Sequence, residues 1–433
     1  MSGFFNGQNM SLLEPYKECS FKVCTDSRNI IPGSLFFALK GENFNGNKYA
    51  EEAISKGAKY AVVDDVEYST HPNIILVDNV LVALQQLANE YRNTFNIPVL
   101  GITGSNGKTT AKELIHAVLT RKYKTHSTPG NFNNHIGLPL TILSMPQNCE
   151  FLVLEMGDNH PGEIKQLCEI GNPSHGLVTN VGKDHIEGFG SFENNKLAKK
   201  ELFDYLELTN GLAFIPLFEE DLIEMASGVN DRIEFGKEDR FSFLEPQPSD
   251  PFVNYLNKEN KPITTHLIGD YNIKNIEMAV CIGKYFGVDS NEIDKAIEDY
   301  VPSNNRSQFL NKNGHKIFLD AYNANPSSVE LAIDSFAKQE LLDSRVVILG
   351  DMLELGDESV TEHQTIVNKL ADLNTTVFLV GDEYLKTTYL ENFTVLGHRS
   401  ELIKLLSSNP LPPSQILIKG SRGIRLEEVL EVL

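Results

Sequence analysis

Short apolar runs separated by polar turns fill the first ninety or so residues of the chain. Three of these runs, residues 34–39, 61–63 and 74–77, are predicted to form β-strands, because each is bounded by the Gly, Asn and Asp residues typical of turns. Residues 80–93 follow and are predicted to form a helix. The pattern indicates a small α/β unit at the start of the chain.

From Pro98 onward, β-rich runs alternate with helical stretches or turns. Residues 99–102, 151–155 and 176–180 are the predicted strands. Strands that alternate with helices form parallel sheets, and such sheets bind ligands at the carboxyl ends of their strands. We therefore expect a site where these three runs end.

A polar, proline-containing segment at residues 236–262 interrupts the alternation and is predicted to form loops or antiparallel strands. Helices are predicted at 271–286 and 291–300, and Pro302 with the polar residues after it indicates a domain boundary. Beyond this boundary the alternation resumes. The last predicted strands are residues 316–319, 346–349, 377–380 and 415–418.

These patterns predict an α/β protein of three domains, at residues 1–93, 94–303 and 304–433. A length of 433 residues agrees with that number, since a domain usually has about 100 to 200 residues. The middle domain is expected to resemble a P-loop ATPase with a parallel sheet, and the last to be Rossmann-like.

Net charge argues against several classes of partner, and cysteine content argues against disulfides and a zinc site. A net charge of -21 and a pI near 5.0 oppose binding to nucleic acid or to an acidic membrane surface, so a phosphorylated ligand needs a local site. Five cysteines without C-x-x-C spacing indicate neither a disulfide framework nor a zinc site. With no signal-like N-terminus and no long apolar stretch, we expect a cytoplasmic protein without membrane insertion.

Residues 101–110, GITGSNGKTT, lie between a predicted strand and a helix-like stretch at 111–120. A glycine-rich turn in this place binds phosphate through backbone N–H groups and the helix dipole, while a lysine and a hydroxyl reach the outer phosphates and Mg²⁺. The predicted ligand is a nucleoside triphosphate. The predicted contact residues are Gly104, Asn106, Gly107, Lys108, Thr109 and Thr110.

The turn departs from the general pattern G-x-x-x-x-G-K-[ST], because Ile102 stands where that pattern has its first glycine. Gly104 supplies the second flexible point instead. A turn without a ligand remains the alternative interpretation.

Three further side chains follow predicted strands or lie on a predicted helix. Glu155 ends the run FLVLE, where a P-loop protein usually keeps an acid that coordinates the metal. His185 lies just past a strand end, and Lys199 lies on the helix predicted to begin near Ser191. Each has an ordinary alternative: a strand-end carboxylate in solvent, a surface or core histidine, and a solvated lysine.

Taken together, these motifs resemble the Mur ligases, the ATP-dependent amide-forming enzymes of peptidoglycan synthesis. Besides TGSNGKTT and Glu155, the resemblance rests on NFNNHIGLPLT at 131–141, HIEGFGS at 185–191, GDYNIKN at 269–275, DAYNANPSS at 320–328, GDMLELG at 350–356 and IKGSRGIRLE at 418–427. Within the family it is strongest to the members that add D-alanyl-D-alanine to UDP-N-acetylmuramoyl-tripeptide. These two molecules are the partners it implies.

The resemblance also implies a metal site. In the family, a lysine at the place of Lys199 reacts with CO₂ and forms a carbamate that helps to hold a second Mg²⁺. Hard, anionic oxygens are the ligands that Mg²⁺ prefers. The implied metal ligands are Thr109, Glu155, His185 and Lys199, and the implied catalytic residues are Lys108, Glu155, His185 and Lys199.

Further contacts follow from the same resemblance. Asn272 and Asn275 correspond to asparagines near the adenine, although Tyr271 stands where many relatives have histidine. Arg306 corresponds to an arginine that reaches the triphosphate, and Asp320 to an acid near the ribose. The implied contacts of the uridine diphosphate are Ser27, Arg28, Lys40, Gly41, Phe44 and Asn45; those of the peptide are Asn131, Asn134 and His135; and those of the dipeptide are Asn323, Asn325, Ser421 and Arg422.

The implied reaction converts the terminal carboxylate of the tripeptide into an acyl phosphate, which the amine of the dipeptide then attacks. A monomer suits a three-domain enzyme that closes around its substrates. The alternatives are the ligase that adds the third amino acid, whose usual DNPR motif this chain lacks, a folylpolyglutamate synthase, and a nucleotide-gated binding module without ligase chemistry.

Overall fold

The computed structural model describes residues 11–184, 186–237, 241–248, 251–303, 305–339 and 342–433. Three mainly parallel sheets follow one another along the chain, with four, six and six strands. The predicted three-domain α/β class is confirmed. Among the described residues, no helix is both long enough and apolar enough to cross a membrane.

The first domain has a parallel sheet in the order β1-β2-β5-β6 and a short antiparallel pair, β3-β4. The strands at 35–37 and 74–76 are shorter than the predicted runs, the strand at 60–63 begins one residue before its run, and the last helix has the predicted bounds. The elements are α1 Leu13–Glu18, β1 Val23–Cys24, β2 Leu35–Phe37, β3 Lys40–Gly41, β4 Phe44–Asn45, α2 Ala50–Ser55, β5 Tyr60–Val63, β6 Ile74–Leu76 and α3 Val80–Asn93.

The central domain has a parallel sheet in the order β12-β11-β10-β7-β9-β8, so the strand before the glycine-rich turn lies in its middle. The elements of the sheet and its helices are β7 Val99–Thr103, α4 Lys108–Leu119, β8 Thr125–Ser127, α5 Gly137–Leu143, β9 Phe151–Glu155, α6 Glu163–Gly171, β10 His175–Val178, α7 Ile186–Phe189, α8 Phe192–Thr209, β11 Leu212–Pro216, α9 Glu220–Met225 and β12 Asp231–Phe235.

An antiparallel sheet and two helices complete this region, in agreement with the prediction for residues 236–262. The elements are β13 Glu245–Gln247, β14 Phe252–Leu256, β15 Pro262–Ile268, α10 Asn272–Tyr285 and α11 Ser290–Asp299.

The third domain has the sheet order β16-β17-β21-β18-β19-β20, in which only the β16–β17 pair is antiparallel. Its elements are β16 Gln308–Lys312, β17 His315–Asp320, α12 Pro326–Ala337, β18 Arg345–Gly350, α13 Ser359–Ala371, β19 Thr376–Val380, β20 Thr394–Leu396, α14 Arg399–Ser408 and β21 Gln415–Lys419. The 3-10 helix Arg422–Ile424 follows β21.

The first two domains share one hydrophobic core. Helix α3 packs Leu84 and Leu87 into the same cluster as Leu138 and Ile142 of α5. The Tyr91 hydroxyl donates a hydrogen bond of 3.0 Å to the Met145 carbonyl oxygen. Burying this apolar surface from both sides stabilises the contact between the two domains.

Candidate active site

The glycine-rich turn joins β7 to α4, and two of its positions have no room for a side chain. A Cβ on Gly104 (φ +136°) would lie 2.1 Å from Thr179 Oγ1, and one on Gly107 (φ +79°) would lie 2.5 Å from Asn275 Oδ1. The left-handed backbone at Gly107 lets α4 begin at Lys108, three residues before the predicted start. Residue 102 needs no glycine, because Ile102 lies inside β7 with its side chain in the core.

The end of the neighbouring strand β10 holds this turn in place. Ser105 N donates to the Asn180 carbonyl oxygen at 3.1 Å, and Asn106 N donates to Asn180 Oδ1 at 2.9 Å. The strand predicted at 176–180 ends at Val178, and the side chains of Thr179 and Asn180 beyond it both donate to the Asn106 carbonyl oxygen.

Lys108 folds over the turn and donates to the carbonyl oxygens of Gly104 and Ser105. Burial lowers the pKa of Lys108, an effect that nearby Asp184 opposes. The side chain lines the site cavity, so it is placed to exchange these carbonyl contacts for phosphate oxygens.

Glu155 ends β9 beside the start of α4. Its Oε1 accepts hydrogen bonds from Thr109 Oγ1 at 3.1 Å and from Asn133 Nδ2 at 2.9 Å. Its Oε2 lies 3.6 Å from Lys112 Nζ and has no hydrogen-bond partner, although the residue is buried. A buried carboxylate oxygen that accepts no hydrogen bond is suited to binding a cation.

Lys199 on α8 is completely buried and faces two carboxylates. Its Nζ lies 2.9 Å from both carboxylate oxygens of Asp158 and 3.7 Å from Asp184 Oδ2. Lys200, the next residue, forms its ion pair with Asp204 on the same helix. The lysine selected by the family resemblance is therefore the one that contacts Asp158, which lines the cavity, although Lys199 itself does not.

Asp184 is buried beside the turn, where Ser105 Oγ and Asn195 Nδ2 donate to its Oδ1. Burial alone would raise its pKa, but the charges of Lys199 and Lys108 outweigh burial and hold it below the ordinary value. The second oxygen, Oδ2, has no hydrogen-bond partner. The carboxylate is therefore suited to an ionised role.

The predicted metal ligand His185 lies outside the described residues. Among the residues that are described, no group of three or more His, Cys, Asp or Glu side chains could hold a metal by itself. Mg²⁺ does not require such a group, since it usually binds through one or two carboxylates together with phosphates and water. Glu155 Oε2 and Asp184 Oδ2, which accept no hydrogen bond, fit this type of site.

A cavity of about 900 Å³ connects the glycine-rich turn with the third domain. The predicted site residues that line it are Asn106, Gly107, Lys108, Thr109, Thr110, Asn131, Asn134, His135, Glu155, Asn272, Asn275, Arg306, Asp320, Asn323 and Arg422. Residues far apart in the sequence thus meet around one space large enough for several ligand groups.

The predicted adenine and ribose contacts lie around this cavity. Asn275 Nδ2 donates to Asn272 Oδ1 at 2.8 Å, and Asn272 Nδ2 donates to Ser307 Oγ at 3.1 Å. Asp320 Oδ2 accepts a 2.6 Å bond from Lys419 Nζ. Burial raises the pKa of Tyr271, which stands in the histidine position of many relatives, so this phenol stays neutral.

The third domain touches the glycine-rich turn directly. Asn325 Nδ2 donates to Asn106 Oδ1 at 2.8 Å, and Asn106 Nδ2 donates to Ser327 Oγ at 3.0 Å. Lys183 and Glu362 form an ion pair of 2.7 Å across the same boundary. These contacts bring the third domain against the edge of the cavity.

Several predicted residues do not line the cavity, and Gly104 and Lys199 are among them. Asn325 caps α12 by accepting from Ser328 N at 2.9 Å, and Ser421 is buried, accepting from Leu353 N at 3.0 Å. The predicted uridine diphosphate contacts lie in the first domain and are also absent from the cavity wall: Ser27, Arg28, Lys40, Gly41, Phe44 and Asn45. Their roles stay predictions.

Sequence reasoning missed Lys112, Asn133, Asp158 and Asp184. Asn133 stands between the predicted Asn131 and Asn134, and Asp184 precedes the predicted His185, so their motifs held a signal. Lys112 follows Lys108 by one helical turn, but an additional lysine on a helix gives no signal by itself. Asp158 shows its role only through its contact with Lys199.

Known proteins match this chain along most of its length. Residues 22–92 match the Mur ligase family, catalytic domain; residues 102–283 match the Mur ligase middle domain; and residues 305–422 match the Mur ligase, glutamate ligase domain. The UDP-N-acetylmuramoyl-tripeptide–D-alanyl-D-alanine ligase of Bacillus subtilis (strain 168) is 34% identical over 426 residues, which cover 95% of this chain and 92% of the relative.

Solved structures agree with these matches. MurF from Acinetobacter baumannii superposes with a TM-score of 0.84 at 28% identity, covering 95% of this chain and 92% of that one. The MurF ligase from Thermotoga maritima in complex with ADP also has a TM-score of 0.84, at 27% identity, covering 95% and 96%. The three family matches and the relative that is 34% identical over nearly the whole chain lead to the same conclusion. The chain belongs to the Mur ligase family.

Proposed function

We propose that this chain is the ATP-dependent ligase that joins D-alanyl-D-alanine to UDP-N-acetylmuramoyl-tripeptide in peptidoglycan synthesis. Relatives that cover nearly the whole chain carry this name, and a solved relative holds ADP. The observation that carries the proposal is the cavity, because it places the glycine-rich turn of the second domain opposite Arg306 and Asp320 of the third.

Each domain has one part in this proposal. Residues 1–93 bind the uridine diphosphate, residues 94–303 bind ATP, and residues 304–433 bring the dipeptide. The shared core of the first two domains favours a fixed distance between the nucleotide sugar and the ATP site. Holding three substrates together supplies a large part of the rate enhancement in such a reaction.

Backbone and side-chain groups that are suited to binding the nucleotide surround the glycine-rich turn. Backbone N–H groups at the start of α4 would receive the phosphates, and Lys108 would leave the carbonyl oxygens of Gly104 and Ser105 to meet the γ-phosphate. Asn272 and Asn275 would contact the adenine, Asp320 the ribose, and Arg306 the triphosphate. Arg306 thereby offsets charge on the transferring phosphoryl group.

We include Mg²⁺ in the proposal, with Thr109, Glu155, His185 and a carbamylated Lys199 as the groups that would hold it. When bound, the ion neutralises phosphate charge and orients the γ-phosphate. The buried oxygens of Glu155 and Asp184 that accept no hydrogen bond support this assignment. Complete burial of Lys199 supports a special role for it, since an ordinary helix lysine faces water.

The peptide carboxylate would approach the γ-phosphate from the side of Asn131, Asn134 and His135. A carboxylate oxygen forms a bond to the γ-phosphorus while the bond to the ADP oxygen breaks, which gives an acyl phosphate and ADP. The dipeptide amine then bonds to the acyl carbon and loses a proton, and inorganic phosphate leaves. Side chains of the enzyme bind and orient the reactants and form no covalent link to them.

A mass-resolved assay tests the proposal. The enzyme is incubated with ATP, Mg²⁺ and UDP-N-acetylmuramoyl-tripeptide, and either D-alanyl-D-alanine or single amino acids are added. We expect phosphate release that depends on the dipeptide, with the matching gain of mass. Phosphate release that is equal with a single amino acid and with the dipeptide would contradict the proposal.

Other parts of the proposal concern the setting of the enzyme. We propose a monomer that acts in the cytoplasm, where its nucleotide substrates are found, and that contributes to cell-wall biogenesis, cell shape and cell division. Sedimentation velocity measures the oligomeric state directly.

A further inference from the structure

Two arginines that line the cavity lie against the same aromatic ring. The Arg306 guanidinium carbon lies 3.6 Å from the centroid of the Tyr322 ring, and that of Arg422 lies 4.9 Å from it. All three residues line the cavity. Both distances are within the range of cation–π attraction.

Within the part of the chain that the structure describes, both guanidinium groups lack an acidic partner. Among the described residues, no Asp or Glu forms an ion pair with Arg306 or Arg422, although the chain carries a net charge of -21. Asp320, which is near in the sequence, pairs with Lys419. Two cations gathered at one ring repel each other, so the arrangement is suited to receiving anions.

One buried lysine contacts the chain on both sides of Tyr322. Lys419 Nζ donates to Asp320 Oδ2 at 2.6 Å and to the Asn323 carbonyl oxygen at 3.0 Å. These bonds bracket the tyrosine, and they join it to the end of β21, which leads to Arg422. The chain segment that carries the Tyr322 ring is therefore held in place.

Arg306 reaches this ring from the segment that links the second and third domains. Its neighbours Asn305 (φ +56°) and Ser307 (φ +47°) both have left-handed backbone, which side chains adopt at a cost. Strain of this kind persists only where surrounding contacts fix the segment. The stack on Tyr322 is one such contact.

We propose that Tyr322 is a positioning residue that holds Arg306 and Arg422 as one receptor for two anionic groups. Arg306 receives the phosphates of the nucleotide, and Arg422 receives the carboxylate of the incoming dipeptide. The ring thus couples the two binding sites by keeping both guanidinium groups aimed into the cavity. The inference rests on the proposed function, because it takes its two anions from that reaction.

The test compares Tyr322→Leu, which removes the ring, with Tyr322→Phe, which keeps it. Calorimetry gives the Kd of ADP, and phosphate release gives the KM of D-alanyl-D-alanine and of its C-terminal amide. We expect Tyr322→Leu to raise the Kd and the dipeptide KM about five- to tenfold. The amide has no carboxylate for Arg422, so its KM should be the same in both variants and the wild type.

Tyr389→Leu, on the exposed surface of the third domain, is the matched control and should leave all three constants unchanged. If Tyr322→Leu does not fold, Arg422→Lys replaces it, since lysine keeps the charge and loses the planar stack. That variant should raise the KM of the dipeptide and leave the Kd of ADP as it is.

The inference would be overturned if Tyr322→Leu left the Kd of ADP and the KM of the dipeptide unchanged, or changed only one of them. Equal defects in Tyr322→Leu and Tyr322→Phe would also overturn it. So would an unchanged dipeptide KM in Arg422→Lys. The proposed function fails in a different way. In that case the wild type itself shows no phosphate release that depends on the dipeptide.

Discussion

The Lys199 ammonium lies 2.9 Å from both carboxylate oxygens of Asp158, in a position closed to solvent. The neighbouring Lys200 points away and pairs with Asp204. This difference between adjacent lysines allows the proposed carbamate to be tested with a matched pair of variants.

We predict that Lys199→Ala loses turnover by about 100-fold or more, since groups that hold a metal site in place have effects of this size. Lys200→Ala should retain nearly all of it. If the lost group is a carbamate, short carboxylic acids added to Lys199→Ala should restore part of the phosphate release. Circular dichroism checks the fold, because the variant leaves Asp158 without its partner. Turnover at the wild-type level would contradict the role of Lys199.

A second prediction concerns Lys112, which is buried 3.6 Å from Glu155 Oε2 and donates to the Thr128 carbonyl oxygen at 2.8 Å. Removing one member of a buried ion pair leaves the other charge uncompensated. We expect Lys112→Met to lower the free energy of unfolding by about 3 kcal/mol, measured in urea.

The double variant Lys112→Met/Glu155→Gln should recover part of that loss, since it leaves no charge unpaired. Exposed Lys165→Met is the control and should change little. Equal destabilisation in the single and double variants would show that Lys112 acts through Thr128 and not through Glu155.

Glu277 on α10 gives a prediction of pH dependence. Burial raises its pKa from 4.5 to about 7, and a hydrogen bond from Leu244 N opposes the shift. The folded state therefore binds this proton more tightly than the unfolded state, and stability is lost as the pH rises from about 4.5 through about 7.

Glu277→Gln keeps an acceptor for Leu244 N and carries no charge. We expect it to be more stable than the wild type at pH 8, by up to about 3 kcal/mol, and similar at pH 4.5. Urea unfolding at both values measures the difference. An equal difference at both values would exclude the carboxyl as its source.

The contact between Asn325 and the glycine-rich turn gives a fourth prediction. Asn325→Ala removes a helix cap, which costs about 1 kcal/mol, and also the bond to Asn106. Asp289→Ala removes the cap of α11 and is the matched control. Both variants should lose similar stability, and only Asn325→Ala should raise the KM of ATP. Equal KM values for ATP in the two variants would show that the Asn325 cap does not contribute to nucleotide binding.

The sequence predicted most of the fold because its elements are strongly patterned. Helix α3 and strand β9 have the predicted bounds, and the parallel central sheet is confirmed. The start of α4 differed, because the conformation of Gly107 decides it and the apolar pattern does not record that conformation.

The site was less predictable than the fold. Residues in recognised motifs, such as Lys108 and Glu155, line the cavity as expected. Tyr322 and Asp158 gain their roles from contacts with residues more than ten positions away, and no local pattern encodes such contacts. The uridine diphosphate residues, by contrast, stay a prediction.

The bonds from Asn325 and Ser327 to Asn106, with the Lys183–Glu362 ion pair, have a thermodynamic consequence. Every group in these contacts can bond to water instead, so breaking them leaves no polar atom unsatisfied. Breaking these polar contacts therefore costs little free energy. These contacts differ in kind from the apolar core that joins the first two domains, whose buried side chains lose stabilisation when water reaches them.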